Sequence, residues 1–366
     1  MGKRVLRREP RAHWALLALA MLVLLAELCL NGYVTHAGSE GPQPRPGNDQ
    51  PAPDAVTGGA AVQRLEPDGT VTSRALPPRT IALTFDDGPD PQWTPRILEV
   101  LARHHAHATF FQVGSRINQY PGITRQVLAD GHEIGSHTFT HVDAGHTATW
   151  KLDAEITLTG NALAAATGTQ PALLRLPYSA GPDALTAADY TAWRRSAPGY
   201  LLVLTDHDTQ DWRRPGVPAI TRAIKPGIVM LHDSGGDRSQ TIAALDQAIP
   251  RLQAQGYRFT TISEALRIPA RPPAGATQRW RGHALRAAQT TAAWLAHALT
   301  ILMTIAVAVG ALRLAVQLVT ARLHHRRTRE RHRRPLTHLG PVSVIVPAYN
   351  EAANIAATVR SLITND

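Results

Sequence analysis

Two long apolar runs bracket the rest of this chain. The first, Trp14 to Leu30, is interrupted only by Glu27; the second, Thr291 to Leu312, contains His297, several threonines and a glycine. At about 1.5 Å per helical residue, each run approaches the roughly 30 Å of a hydrocarbon core, the first only just. Residues 35–78 are rich in Pro, Gly, Asp, Gln and Ser with few large apolar side chains, which predicts a disordered tether. From Arg79 the texture changes to short apolar runs separated by helix-period patterns. Strands are expected at Thr80–Thr84, Ala108–Val113, His132–Ser136, Ala172–Leu176, Tyr200–Thr205, Ile228–Leu231 and Phe259–Ile262. Helices are expected at Pro95–His105, Tyr120–Ala129 and Ile242–Gln255. This alternation predicts an α/β fold with a parallel sheet, closed into a distorted (β/α) barrel and flanked by two transmembrane helices.

Charge sharpens the picture at the two apolar runs. The formal net charge is +10, but residues 1–12 carry +4 and residues 322–334 carry +6, which accounts for the whole excess. The intervening chain is close to neutral, so a nucleic-acid-binding face is not expected. Both basic clusters abut apolar runs, and the positive-inside rule places both termini in the cytosol and residues 31–290 outside, in a two-pass cell-membrane protein. A small-residue site ending at Ala37 would suit a cleaved signal peptide instead, but a 17-residue apolar run is long for that role. The sole cysteine, Cys29, lies in the first run, so the exported part is expected to rely on a packed core without disulfides.

Five polar motifs, TFDDGP, HTFTH, RLPY, DTQDW and MLHD, each end or closely follow an apolar run between Thr84 and Asp233. Barrel active sites are built at such strand C-terminal ends. Asp86 and Asp87 leave a strand into a Gly-Pro turn, so their side chains diverge and can take different roles. His137 and His141 have the spacing that puts two imidazoles on one side of a helical turn. One carboxylate and two histidines form a three-ligand set with open positions for water and substrate, the pattern of a catalytic metal. Zinc suits these ligands; cobalt, manganese and nickel share the ligand type.

In order and in type, these motifs resemble those of the polysaccharide deacetylases, the NodB-homology group or carbohydrate esterase family 4, over roughly residues 79–268. The resemblance implies a barrel of the deacetylase type and an enzyme that removes N-acetyl groups from an N-acetylglucosamine-containing polysaccharide. It implies Asp86 as general base, Asp87, His137 and His141 as metal ligands, and Arg175 as the cation that orients the base. It further implies that Tyr178 offers its backbone N–H to the oxyanion, that Asp211 tunes His232 as general acid, and that Trp212 walls the acetyl pocket. Met230 stands where the family usually has Leu, and Ser179 where Gly is common; both bear on substrate preference and remove no catalytic group. The same set would also serve an O-acetyl esterase, and without turnover it would leave a carbohydrate-binding domain.

The final stretch, Pro341 to Asp366, reads as a β-branched strand, a Pro-Ala-Tyr-Asn-Glu turn and an amphipathic helix carrying Ile355, Val359 and Leu362. It resembles the opening of a family 2 glycosyltransferase, which implies a piece of a deacetylase–glycosyltransferase fusion without transferase activity of its own. The expected organisation is therefore a cytosolic basic segment at 1–12, a membrane anchor at 13–34, a disordered linker at 35–78 and a deacetylase domain at 79–268. A linker at 269–290, a transmembrane helix at 291–318, a basic cytosolic segment at 319–340 and the transferase opening at 341–366 complete it.

Overall fold

A computed structural model describes residues 12–36, 49–269, 273–332 and 355–364. The chain divides into two units, Met1–Leu299 and Thr300–Asp366.

The first unit is built on a ten-stranded sheet. Its strands are β1 (Val62–Leu65), β2 (Val71–Arg74), β3 (Thr80–Asp86), β4 (Ala108–Gln112), β5 (Glu133–Ser136), β6 (Leu173–Leu174), β7 (Leu201–Val203), β8 (His207–Asp208), β9 (Gly227–His232) and β10 (Arg258–Phe259). They run in the order β2-β1-β7-β6-β5-β4-β3-β9-β8, with β10 beside the start of β3. From β7 to β8 every pairing is parallel, so the C-terminal strand ends, and the motifs they carry, share one rim. The sheet curls so that one short segment serves both of its sides: Leu201–Leu202 pair with β6, and His207–Asp208 pair with β9. The expected barrel is thus seen as a curled half-barrel, with residues 201–208 spanning its open side.

Strand alternation decides what faces the interior. On β3, Ile81, Leu83 and Phe85 join the cluster packed under Ile97, Leu101, Leu245 and Ile249 of the surrounding helices. Ala82 points the other way, into a second cluster with Phe111, Leu174, Leu202 and Ile228. Thr84 and Asp86 follow Ala82 onto that inner face. All seven β3 side chains are buried, which is why the strand reads as a nearly continuous apolar run.

Two regions expected as linkers are folded. From Ala52 to Arg74 the chain forms a short helix, Asp54–Thr57, and the β1–β2 hairpin, with β1 antiparallel to β7. The side chains that anchor this stretch, Ala52, Val56, Ala61 and Val62, are small and scattered, so no apolar run marks it, yet all four are buried in the inner cluster. Residues 37–48 of the expected tether lie outside the described residues, as do 270–272 of the second linker. From Ala276 on, that second linker opens a long helix, Ala276–His332. Its start packs closely on helix Thr149–Thr167: a Cβ on Gly282 would lie 1.9 Å from the Asn161 carbonyl oxygen.

Helix Ala12–His36 and helix Ala276–His332 are both long and apolar enough to cross a membrane. Leu16, Leu19, Leu22 and Leu25 of the first are exposed, as are Leu302, Met303, Ile305 and Val307 of the second. The second unit also contains helix Ile355–Ile363, where the sequence predicts one; the strand expected to open the stretch from Pro341, and residues 1–11, lie outside the described residues.

Candidate active site

Arg175 follows β6 into the barrel interior and is fully buried. Its guanidinium donates to Asp86 Oδ1 at 2.8 Å and Thr84 Oγ1 at 2.7 Å, both on β3, and to the Val203 carbonyl at 3.3 Å. It also lies 4.3 Å from the Phe111 ring centroid. Asp86, itself buried, therefore has a cation fixed against one oxygen, a buried pair hydrogen-bonded on several sides.

Asp87 turns away from Asp86 because its backbone is left-handed, at φ 78°. Its Oδ1 lies 3.5 Å from His137 Nε2 and 3.0 Å from His141 Nε2. The sequence expects these histidines on a helical turn; they stand instead on a loop after β5, with positive φ at Thr138 and His141. The loop form is set by Glu155, whose Oε2 accepts the backbone N–H groups of Phe139 and Thr140, each at 2.7 Å. These donors are thereby withheld from a helical ladder.

Asp87, His137 and His141 form a possible metal site, with ligand atoms all within 4.8 Å of one another. Two observations fit it to a cation. Asp87 Oδ1 is buried without a hydrogen-bond partner. His137 Nδ1 is engaged by the Arg175 carbonyl at 2.8 Å and His141 Nδ1 by the Tyr178 hydroxyl at 3.1 Å, leaving both Nε2 atoms aimed at Asp87. Burial acts to raise the Asp87 pKa, but His141, His137 and His232 outweigh it and hold the carboxyl well below the usual range.

His232 ends β9 directly in register with Asp86 on the neighbouring β3. Its Nδ1 meets Asp211 Oδ1 at 2.7 Å, while Asp211 Oδ2 accepts from the His232 backbone N–H at 3.1 Å and from Thr241 Oγ1 at 2.7 Å. Burial pushes the imidazole pKa down, yet Asp211, aided by Asp87 and Asp86, raises it to about 9. Asp211 is opposed by burial in the same way and is held low by His232. Asp86, Asp87, His137, His141, Tyr178, Trp212, Met230 and His232 line one cavity of about 1130 Å³. Arg175 and Asp211, both buried, stand behind its wall.

Residues 73–192 match the family described as Polysaccharide deacetylase. A peptidoglycan-N-acetylglucosamine deacetylase of Bacillus cereus is 43% identical over 213 residues, spanning 56% of this chain and 97% of the relative. The chain belongs to the polysaccharide deacetylase family. A chitooligosaccharide deacetylase of Bradyrhizobium is 36% identical over 198 residues, spanning 50% of this chain and 88% of the relative. A crystal structure of a peptidoglycan N-acetylglucosamine deacetylase, in complex with 4-naphthalen-1-yl-N-oxidanyl-benzamide, is 30% identical, covering 54% of this chain and 94% of that one at TM-score 0.49.

The deacetylase domain places two further carboxylates at the site that the motifs left without a role. Asp208 lines the cavity, and burial raises its pKa. Asp233, fully buried, accepts from Thr94 Oγ1 at 2.6 Å and donates its backbone N–H to the Asp86 carbonyl at 3.2 Å. Burial, with the charges of Asp87 and Asp86, pushes its pKa up to about 7 against the Thr94 hydrogen bond. Both residues stand in recognised motifs, DTQDW and MLHD, but a motif letter carries no depth; only the fold shows how deeply each is buried.

Asp233 also supports the Asp87 turn, since a Cβ on Gly88 would lie 2.2 Å from its Oδ2. Gly88→Ala is expected to cost about 1–3 kcal/mol of stability through this clash and to weaken metal binding. Gly122→Ala, whose nearest neighbour would be 3.9 Å away, is expected to do neither. Thermal melts and zinc titration of both variants check the contrast.

Proposed function

We propose that residues 79–268 hydrolyse N-acetyl groups of an N-acetylglucosamine polysaccharide on the outer side of a membrane, using a divalent metal, for which zinc suits the ligands best. The observation that carries this reading is the pairing of Asp86 and His232 in register on adjacent strands, each with its own buried partner, beside the Asp87–His137–His141 set. Relatives named for peptidoglycan and chitooligosaccharide deacetylation supply the substrate class.

A metal bound by Asp87, His137 and His141 would lower the pKa of water to roughly 7 and polarise the acetyl carbonyl. Asp86, held by Arg175, takes the proton of the attacking water. Tyr178, on the cavity wall with φ 65°, is assigned to present its backbone N–H to the developing oxyanion, a contribution of about 3 kcal/mol for one such donor. The departing sugar amine needs a proton, which His232 supplies from its imidazolium while Asp211 holds the ring. Trp212 and Met230 wall the space for the acetyl group.

The basic clusters at 1–12 and 322–334 assign both termini to the cytosol and the deacetylase domain to the outside. Residues 341–366 then open a glycosyltransferase domain on the cytosolic side, where activated sugars are available.

Metal-stripped full-length chain restored with zinc is expected to release acetate from chitooligosaccharides or peptidoglycan, and Asp86→Asn to cut that rate by about 10²–10⁴-fold. Release only from O-acetylated glycans would replace the amide reading with an esterase, and zinc and glycan binding without any release would leave a binding domain. The pH profile follows from His232: its donating form is complete below the folded pKa of about 9 and is lost as pH rises through it. Asp211→Asn removes the raising anion and leaves burial in place, so the alkaline limb of kcat should move down by about one unit or more; an unmoved limb would take the acid role from His232. In intact cells, external protease should cleave within 79–268 and spare a C-terminal tag, and the opposite pattern would reverse the topology.

A further inference from the structure

The two long apolar helices reach the metal-ligand loop by separate routes. On the N-terminal side, Glu155 is fully buried on helix Thr149–Thr167. One of its carboxylate oxygens takes the Phe139 and Thr140 backbone N–H groups, and the other takes the Thr140 hydroxyl at 2.7 Å. The donor that completes this second oxygen is the Tyr33 hydroxyl, from the last turn of helix Ala12–His36. On the C-terminal side, Gln289 is buried at the point where helix Ala276–His332 lies on the domain. Its Nε2 donates to the Ser115 carbonyl at 2.9 Å, and its Oε1 accepts from Asn118 Nδ2 at 3.0 Å. The Ser115 backbone N–H in turn donates to the Phe139 carbonyl at 2.9 Å. Phe139 is thus held through its N–H from one helix and through its carbonyl from the other. Thr291 Oγ1 to Glu27 Oε1, at 3.3 Å, links the two helices directly.

We propose that Tyr33 and Gln289 are positioning residues for the metal site: through Glu155 and Ser115 they fix the loop whose ends are His137 and His141. The inference rests on the metal-dependent hydrolase reading and extends it to the helices. Outer contacts of this kind act on metal affinity, because a ligand held off its bonding position must be brought there at the expense of binding. A buried carboxylate deprived of one donor seeks another, and the nearest available are the loop's own groups. The same helical turn contributes Val34 and Thr35 to the cavity wall, so the helix end is continuous with the site it steadies.

The test is zinc affinity of the purified full-length chain, measured by competition with a chromophoric chelator. Tyr33→Phe and Gln289→Ala are each expected to weaken zinc binding about tenfold, and the double variant further, while Trp14→Ala at the exposed far end of the first helix leaves it unchanged. Tyr33→Phe removes a single hydroxyl, so it decides the matter alone should the double variant lose its melting transition. Zinc affinity of Tyr33→Phe within about twofold of the parent would overturn the proposal. A parent chain that binds zinc but releases no acetate counts against the hydrolase reading alone, whereas a parent that binds no zinc overturns both.

Discussion

A buried guanidinium organises the centre of this protein. Arg175 reaches from the end of β6 to β3 and β7 and stacks on a ring of β4, while its own backbone carbonyl engages His137. Asp86 and the His137–His141 loop are therefore indexed to one residue, and neither can shift without disturbing the other. An ion taken out of water at this depth is tolerated only when paired and hydrogen-bonded on several sides. The curl of the sheet meets that requirement, because only a strongly curved sheet brings β3, β4, β6 and β7 around one side chain.

The rim then separates the duties of chemically similar groups by environment alone. Asp86 faces a fixed cation, Asp87 faces two imidazoles, Asp211 faces one, and Asp233 faces a hydroxyl beneath other carboxylates. The proton affinities of the last three diverge accordingly: Asp87 and Asp211 are driven low, and Asp233 rises to about 7. Divergence among neighbouring titratable groups is the physical basis on which one site runs acid and base chemistry together.

Much of this was legible in the chain because buried parallel strands write themselves as apolar runs. β3, β4, β5 and β9 fall where those runs predict, and the motifs that follow them converge on one cavity. The rest was hidden for specific reasons. β1 and β2 are four residues each, half exposed and set among Pro and Gly, so their pairing with β7 leaves no local trace. Helix Thr149–Thr167 buries Glu155, Thr159 and Asn161, which blurs the apolar stripe that would announce it. The His137–His141 spacing fits a helix equally well, and only the long-range demand of Glu155 makes it a loop. Tyr33 and Glu155 are 122 residues apart in sequence, a distance at which composition and periodicity say nothing.

The short path from Leu30 to Thr35 has a consequence for substrate access. Leu30 ends the apolar run and Thr35 lies in the cavity wall, five residues on and about 7–8 Å along the helix axis. With that helix in a bilayer, the cavity opens within the reach of lipid headgroups instead of far out on a stalk. On the membrane-anchored reading proposed above, a polysaccharide substrate would be met close to the membrane surface.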